Sequence, residues 1–185
     1  MENKLLAKLV VATESVLFGS LLIAFVYFSL EPGFRQQQLA VLDWRSTGVF
    51  TLLLLASSFT LMRAEAGYRQ GSPARLRGWL LATIGLGVVF LLGQAREFYG
   101  LLTRHLDVAS GTFGTGFFAL TGFHGLHVLA GLVVLGILAA LGFAGDFDRP
   151  GRSVLGAASI YWHFVDVVWA VVFTVVYVLP HFTRL

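Results

Sequence analysis

Five apolar runs separated by short turn-forming segments constrain this chain more than anything else in it: roughly residues 5–30, 47–62, 78–102, 113–143 and 154–179. A bilayer-spanning helix takes about 20 mostly apolar residues, and the second run reaches that length by borrowing flanking residues to about position 67. Stretches such as VFTLLLLASSFTLM and GLHVLAGLVVLGILAALGF show no period-two alternation, so they do not read as strands of a membrane barrel. Glu31-Pro32-Gly33, Gly71-Ser72-Pro73 and the segment 146–152 with Pro150-Gly151 are helix-breaking links. The predicted fold is all-α, an integral membrane bundle of five transmembrane helices forming a single transmembrane domain over 1–185, with spans at about 5–30, 47–67, 78–102, 113–143 and 154–179.

Only 12% of the residues are charged and 57% are hydrophobic, whereas a soluble domain is about a quarter charged. The chain contains no cysteine, which excludes disulfide frameworks, iron–sulfur clusters, thiolate zinc sites and cysteine nucleophiles. The net charge of +3 comes from basic residues clustered between apolar runs rather than spread over one face, which speaks for membrane topology and against a nucleic-acid partner. With the amino terminus inside, the inner side holds Lys4, Lys8, Arg63, Arg69, Arg75, Arg77, Arg149 and Arg152, eight against five outside: Arg35, Arg45, Arg96, Arg104 and Arg184. The excess predicts a cytoplasmic amino terminus and an external carboxyl terminus. Lysines followed by an apolar run also open a signal peptide, but Glu14 interrupts this run and the run is long, so an uncleaved first span is expected.

Ionisable side chains inside a bilayer are costly unless paired or hydrated, so Glu14, His124, His127, His163 and Asp166 are the informative residues. At 1.5 Å rise per residue, His124 and His163 both come ~15 Å deep from opposite sides, close enough in depth for their helices to bring them together. His124 and His127 are three apart in TGFHGLHVLAG, a spacing that serves haem or metal ligation or, alternatively, hydrogen bonding between helices. His163 and Asp166, three apart in YWHFVDVVW, allow an imidazole N–H to reach a carboxylate, either as a clamp or as a proton-conducting step. Glu14 lies between Thr13 and Ser15, hydroxyls able to hydrogen-bond it, and is either an interhelical bridge or a protonatable group near a proton entrance.

Ala119, Gly122 and Gly125 fall on one helical face that lets another backbone approach. The glycine-rich run 110–116 lacks the Gly-Lys-Ser/Thr ending and preceding strand of a phosphate cradle, and reads as an outer loop entering the fourth span. Gln94, Arg96 and Glu97 lie at the outer end of the third span, where Arg96 pairs with an acid or a lipid phosphate, or is simply solvated. Arg96, Glu97, Trp162 and Trp169 are the candidates for contact with lipid or another subunit.

The strings ATESVLFGSLLIAF, STGVFTLLLLASSFTL, GQAREFY, GTGFFALTGFHGLHVLAG and YWHFVDVVWAVVFTVVY, in that order, resemble subunit III of the haem–copper respiratory oxidases, the cytochrome c and quinol oxidase group. The resemblance runs from about Leu5 to the carboxyl end. It implies an all-helical membrane subunit without haem or metal, packed directly on catalytic subunit I in a complex that includes subunit II. It further implies that the chain stabilises subunit I, holds phospholipid and supports proton uptake. Glu14 falls on the family's membrane-embedded carboxylate, beside Val16-Leu17-Phe18, which keeps one phenylalanine of that turn. Glu97 falls on the acid of the Gln-Ala-x-Glu-Tyr/Phe segment, His124 and His127 on the paired histidines, and His163 and Asp166 on the Trp-His-Phe-x-Asp motif. Longer members have seven helices and a lipid-filled cleft behind the first two; this chain resembles the five-helix bacterial form, so that cleft needs another chain to wall it.

A catalytic haem–copper subunit needs about six ligating histidines, and this chain has three inside its spans. A binuclear copper centre needs a cysteine pair. The expectation is therefore a chain with no catalytic centre, cofactor or metal of its own, in a proton-pumping terminal oxidase of the bacterial plasma membrane, with haems and copper in its partner subunits. Cytochrome c is the expected electron donor and quinol the alternative. A membrane cytochrome b, with haem between the fourth and fifth spans, is the rival of another class. A transporter would show an internal repeat or paired broken helices, and neither is present.

Overall fold

A computed structural model describes residues 2–145 and 154–182. The breaker segment 146–152, with Arg149, Arg152 and Arg184 of the charge count, lies outside the described residues. The helices are α1 (Glu2–Phe28), α2 (Phe34–Val41), α3 (Trp44–Arg69), α4 (Pro73–Leu102), α5 (Gly111–Phe143), α6 (Val154–Phe173) and α7 (Leu179–Phe182), the last two joined by a π-helical turn, Thr174–Val178. Five helical segments are long and apolar enough to cross a membrane, and there is no strand among the described residues.

Local chemistry fixes the boundaries. The Asp43 side chain accepts the Arg45 amide at 3.0 Å as the N-cap of α3, and Pro73 opens α4, where its missing N–H costs nothing. Asp107 accepts Ser110 Oγ at 2.7 Å and the Ala109 amide at 2.9 Å, which closes the turn before α5 and holds its carboxyl below the usual carboxylate range. The run 110–116, expected as a loop, is helical from Gly111. Gly111 supplies the left-handed backbone at the helix start, with φ 85°, and a Cβ on Gly114 would run into the Asp107 carbonyl oxygen.

Helices α3, α4, α5 and α6 pack in a ring, each against the next, and α1 lies outside it against α5 and α6. Phe18 and Phe25 anchor α1 inward, while Leu9, Val16 and Ile23 remain on its outer side. Inside the ring, glycines let the backbones close on Trp162: a Cβ on Gly131 of α5 would stand 2.8 Å from the indole, and one on Gly87 of α4 would stand 2.9 Å from it. An arginine fastens one end of the ring, Arg77 Nε donating to the Gly142 carbonyl at 2.7 Å.

The short helix α2 has no apolar run to announce it, and its role follows from Pro180. A proline has no N–H, so the Val176 carbonyl four residues earlier loses its helical donor. Gln38 of α2 supplies one instead, Nε2 donating to Val176 O at 2.6 Å, and Arg35 donates to the Pro180 carbonyl through Nε at 2.9 Å and Nη2 at 2.6 Å. Gln38→Ala is expected to lower stability by about 1 kcal/mol by orphaning a buried carbonyl. The same change in a Pro180→Ala background, where the backbone N–H returns, is expected to cost much less; a double-mutant cycle in detergent melting checks this.

Candidate functional site

Three sets of polar side chains bridge the helices of the bundle. In the first, near the middle of α1 and α5, His127 Nε2 lies 3.0 Å from Glu14 Oε2, and His127 Nδ1 lies 2.7 Å from the Phe123 carbonyl. A carbonyl oxygen only accepts, so Nδ1 carries a proton. The Nε2–Glu14 contact is thus the hydrogen bond that joins α5 to α1. Tyr161 of α6 donates to the His127 carbonyl at 3.1 Å, and the Phe18 ring meets His127 edge-on at 4.9 Å. Thr13 and Ser15, expected to serve Glu14, bond the Val10 and Val11 carbonyls of their own helix, the ordinary alternative for hydroxyls in a helix.

The second bridge joins α3 to α6. Ser58 Oγ donates to Asp166 Oδ2 and lies 2.8 Å from His163 Nδ1. A hydroxyl has one hydrogen, so with that hydrogen on Asp166 it accepts from His163 Nδ1–H. His163 and Asp166 are thus linked through Ser58 rather than directly. Asp166 is 3% exposed, and its Oδ1 has no partner among the described residues.

His124 departs from expectation. It is fully buried, its ring stacks on Trp169 at 4.7 Å, and the edge of Phe90 is 6.0 Å away; neither ring nitrogen has a hydrogen-bond partner among the described residues. It does not meet His163, whose ring is engaged by Ser58. Three residues of helix turn His124 about 60° away from His127, enough to send one ring into the aromatic core and the other toward α1.

A third set of contacts lies where the start of α3 meets the end of α4. Glu97 accepts from Tyr177 at 2.9 Å and from Thr47 at 3.2 Å, beside a cavity of about 230 Å³ that Asp43, Gln94, Arg96 and Arg104 also line. Arg96 is exposed there. Trp162 and Trp169, expected at a lipid or subunit contact, are instead 0% and 1% exposed and donate to Ser57 Oγ and Thr51 Oγ1, each at 2.9 Å. Seven residues apart, they share the face of α6 that turns into the ring. Sequence reasoning passed over Ser57, Ser58, Thr47 and Thr51, although the hydroxyl stripe through the second apolar run was a usable signal. It also passed over the hydroxyls of Tyr161 and Tyr177.

Fold and site together define a multi-pass helical membrane protein whose internal polar groups pair across helix boundaries, with no group of three or more His, Cys, Asp or Glu placed to hold a metal ion among the described residues. The family described as cytochrome c oxidase subunit III matches residues 4–180. The chain is 36% identical over 173 residues to the cytochrome c oxidase subunit 3 of a Synechocystis species, an alignment covering 92% of this chain and 73% of that one. It is 33% identical over 166 residues to a probable cytochrome c oxidase subunit 3 of Mycobacterium leprae, covering 90% and 82%. Against the cytochrome c oxidase subunit 3 of Thermostichus vulcanus it is 33% identical over 185 residues, covering 92% and 84%. The chain belongs to the cytochrome c oxidase subunit III family, and is therefore a membrane subunit of a haem–copper oxidase.

Proposed function

We propose that this chain is the non-catalytic subunit III of a proton-pumping cytochrome c oxidase, one transmembrane domain docked directly on catalytic subunit I in a complex that contains subunit II. Its own part is structural and electrostatic: it stabilises subunit I, holds phospholipid against it and keeps the partner's proton path supplied. The observation that carries this reading is the commitment of the membrane histidines to protein: Glu14 and the Phe123 carbonyl engage His127, Ser58 engages His163, and aromatic rings enclose His124. A membrane cytochrome b would need facing imidazoles with free nitrogens, and His124 and His163 are turned to different neighbours. The similarity to cytochrome c oxidase subunits favours cytochrome c over quinol as donor. The setting is a bacterial plasma membrane with the amino terminus cytoplasmic, the arrangement the basic residues favour.

Oxidase purified with this chain is expected to sustain turnover that oxidase stripped of it loses; equal lifetime and equal activity contradict the proposal. Glu14 is the group placed to act on protons, because it is the carboxylate that meets a histidine between α1 and α5. Glu14→Gln keeps a donor for Nε2 and is expected to leave assembly intact. Proton uptake slows by far less than the ~100-fold typical of losing a direct proton-transfer group. Time-resolved proton uptake by the assembled complex measures it, and loss of the complex would assign Glu14 a structural role instead.

A further inference from the structure

Four charged side chains line the cavity of about 230 Å³ between the start of α3 and the end of α4, and they are not equivalent. The acids are engaged by protein: Glu97 accepts from Thr47 and Tyr177, and Asp43 caps α3 through Oδ1. The arginines are not. Neither the Arg96 nor the Arg104 guanidinium has a hydrogen bond, ion pair or ring contact among the described residues, and no ion pair there joins an arginine to an acid. A guanidinium stays charged and carries five N–H donors, so the unspent chemistry of the cavity suits an oxyanion.

The cavity lies at the ends of two spans, where hydrocarbon gives way to headgroups. Trp44 and Tyr99, next in sequence to its lining residues Asp43 and Gly100, are both exposed, as aromatic side chains at a membrane interface are. One helical turn deeper the surface becomes aliphatic, with exposed Val49 below Ser46 on α3 and exposed Leu92 below Arg96 on α4. A molecule matched to this gradient sets an anionic phosphodiester at the arginines and lays acyl chains over Val49 and Leu92.

The acids then select the headgroup. A primary ammonium donates to carboxylates, and both acids can still accept: Asp43 Oδ2 has no partner among the described residues, and each Glu97 oxygen accepts a single hydrogen bond. A choline headgroup has no N–H to donate, and a glycerol headgroup leaves the negative charge of its lipid facing two carboxylates.

We infer that the α3–α4 cavity binds the phosphoethanolamine headgroup of a membrane phospholipid, its phosphodiester on Arg96 and Arg104 and its ammonium on Asp43 and Glu97. The inference rests on the reading of this chain as a lipid-holding oxidase subunit, and adds the place and the headgroup. No residue of α1 lines the cavity, so the site is independent of the cleft that the two extra helices of longer members enclose.

The test uses the complete oxidase, depleted of lipid in detergent and titrated with phosphatidylethanolamine, phosphatidylglycerol, phosphatidylcholine or free phosphoethanolamine, with bound molecules counted by native mass spectrometry. One phosphatidylethanolamine is expected to bind ahead of the other lipids and to weaken at least ~10-fold in Arg96→Gln/Arg104→Gln, the scale of losing charge-assisted hydrogen bonds. Asp43→Asn still caps α3 and is expected to narrow the preference over phosphatidylglycerol. A diazirine-bearing residue encoded at Ser46, an exposed residue of the cavity wall, is expected to give a phosphatidylethanolamine adduct on irradiation. Unchanged binding by the double arginine variant, equal binding of phosphatidylglycerol, equal binding of free phosphoethanolamine, or a Ser46 adduct with protein alone overturns the inference. If the double variant does not assemble, the Ser46 adduct decides. Phospholipid bound only elsewhere on the oxidase makes the cavity wrong and leaves the subunit reading standing. If oxidase stripped of this chain also keeps its full lipid complement, the lipid-holding reading falls with it.

Discussion

Trp162→Ala is expected to destabilise the chain by about 3–5 kcal/mol and to remove most of it from assembled oxidase. The indole is fully buried, fills the slot that Gly87 and Gly131 leave open, and donates from Nε1 to Ser57 Oγ of α3. One side chain of α6 thereby touches α3, α4 and α5, and truncation opens a cavity at their common centre. Filling the slot from the other side should do comparable harm, since a side chain at Gly131 meets the indole at 2.8 Å already with its Cβ. Trp162→Phe separates the contributions: it keeps most of the volume, loses the hydrogen bond, and is expected to cost about 1–2 kcal/mol. Detergent melting of the purified chain and the yield of complex measure both, and a Trp162→Ala chain with wild-type melting would refute the central position given to this residue.

Asp166→Ala is expected to cost about 1–3 kcal/mol and to lower the yield of assembled oxidase, because the Ser58 hydroxyl loses its acceptor in a site without bulk water. Asp166→Asn retains a carbonyl oxygen that can face Ser58 and is expected to recover most of the yield. The contrast between the two variants tests the bridge rather than the volume of the side chain. Normal yield for Asp166→Ala would remove the clamp reading of the α3–α6 pair.

The helical membrane fold was legible because span length and link chemistry are one-dimensional signals: an unbroken apolar run and a Pro-Gly step mean the same thing in any tertiary context. Partner choice is three-dimensional and was read less well. Glu14 and His127 were both singled out, but nothing in a pattern states that one reaches the other across 113 positions. His163 and Asp166 invited a direct contact along their own helix, and Ser58 came between them from α3. His124 looked like a twin of His127, yet a three-residue step turned it into an aromatic core. Trp162 and Trp169 carry the side chain expected at a membrane interface, and only the hydroxyl stripe of α3 explains why they point inward. Helix α2 was hidden because eight residues with three glutamines make no apolar run; its inner face is only Phe34 and Gln38, and its purpose is set by a proline far along the chain.

The central claim is that Glu14, His127, His163 and Asp166 bridge helices, that His124 is enclosed by aromatic rings, and that the redox chemistry is left to other subunits. Haem and copper per complex, measured on oxidase before and after this chain is stripped away, test that claim most directly. The account predicts identical haem and copper contents and an unchanged absorption spectrum. A stoichiometric loss of one haem or one copper on removal of the chain would contradict it.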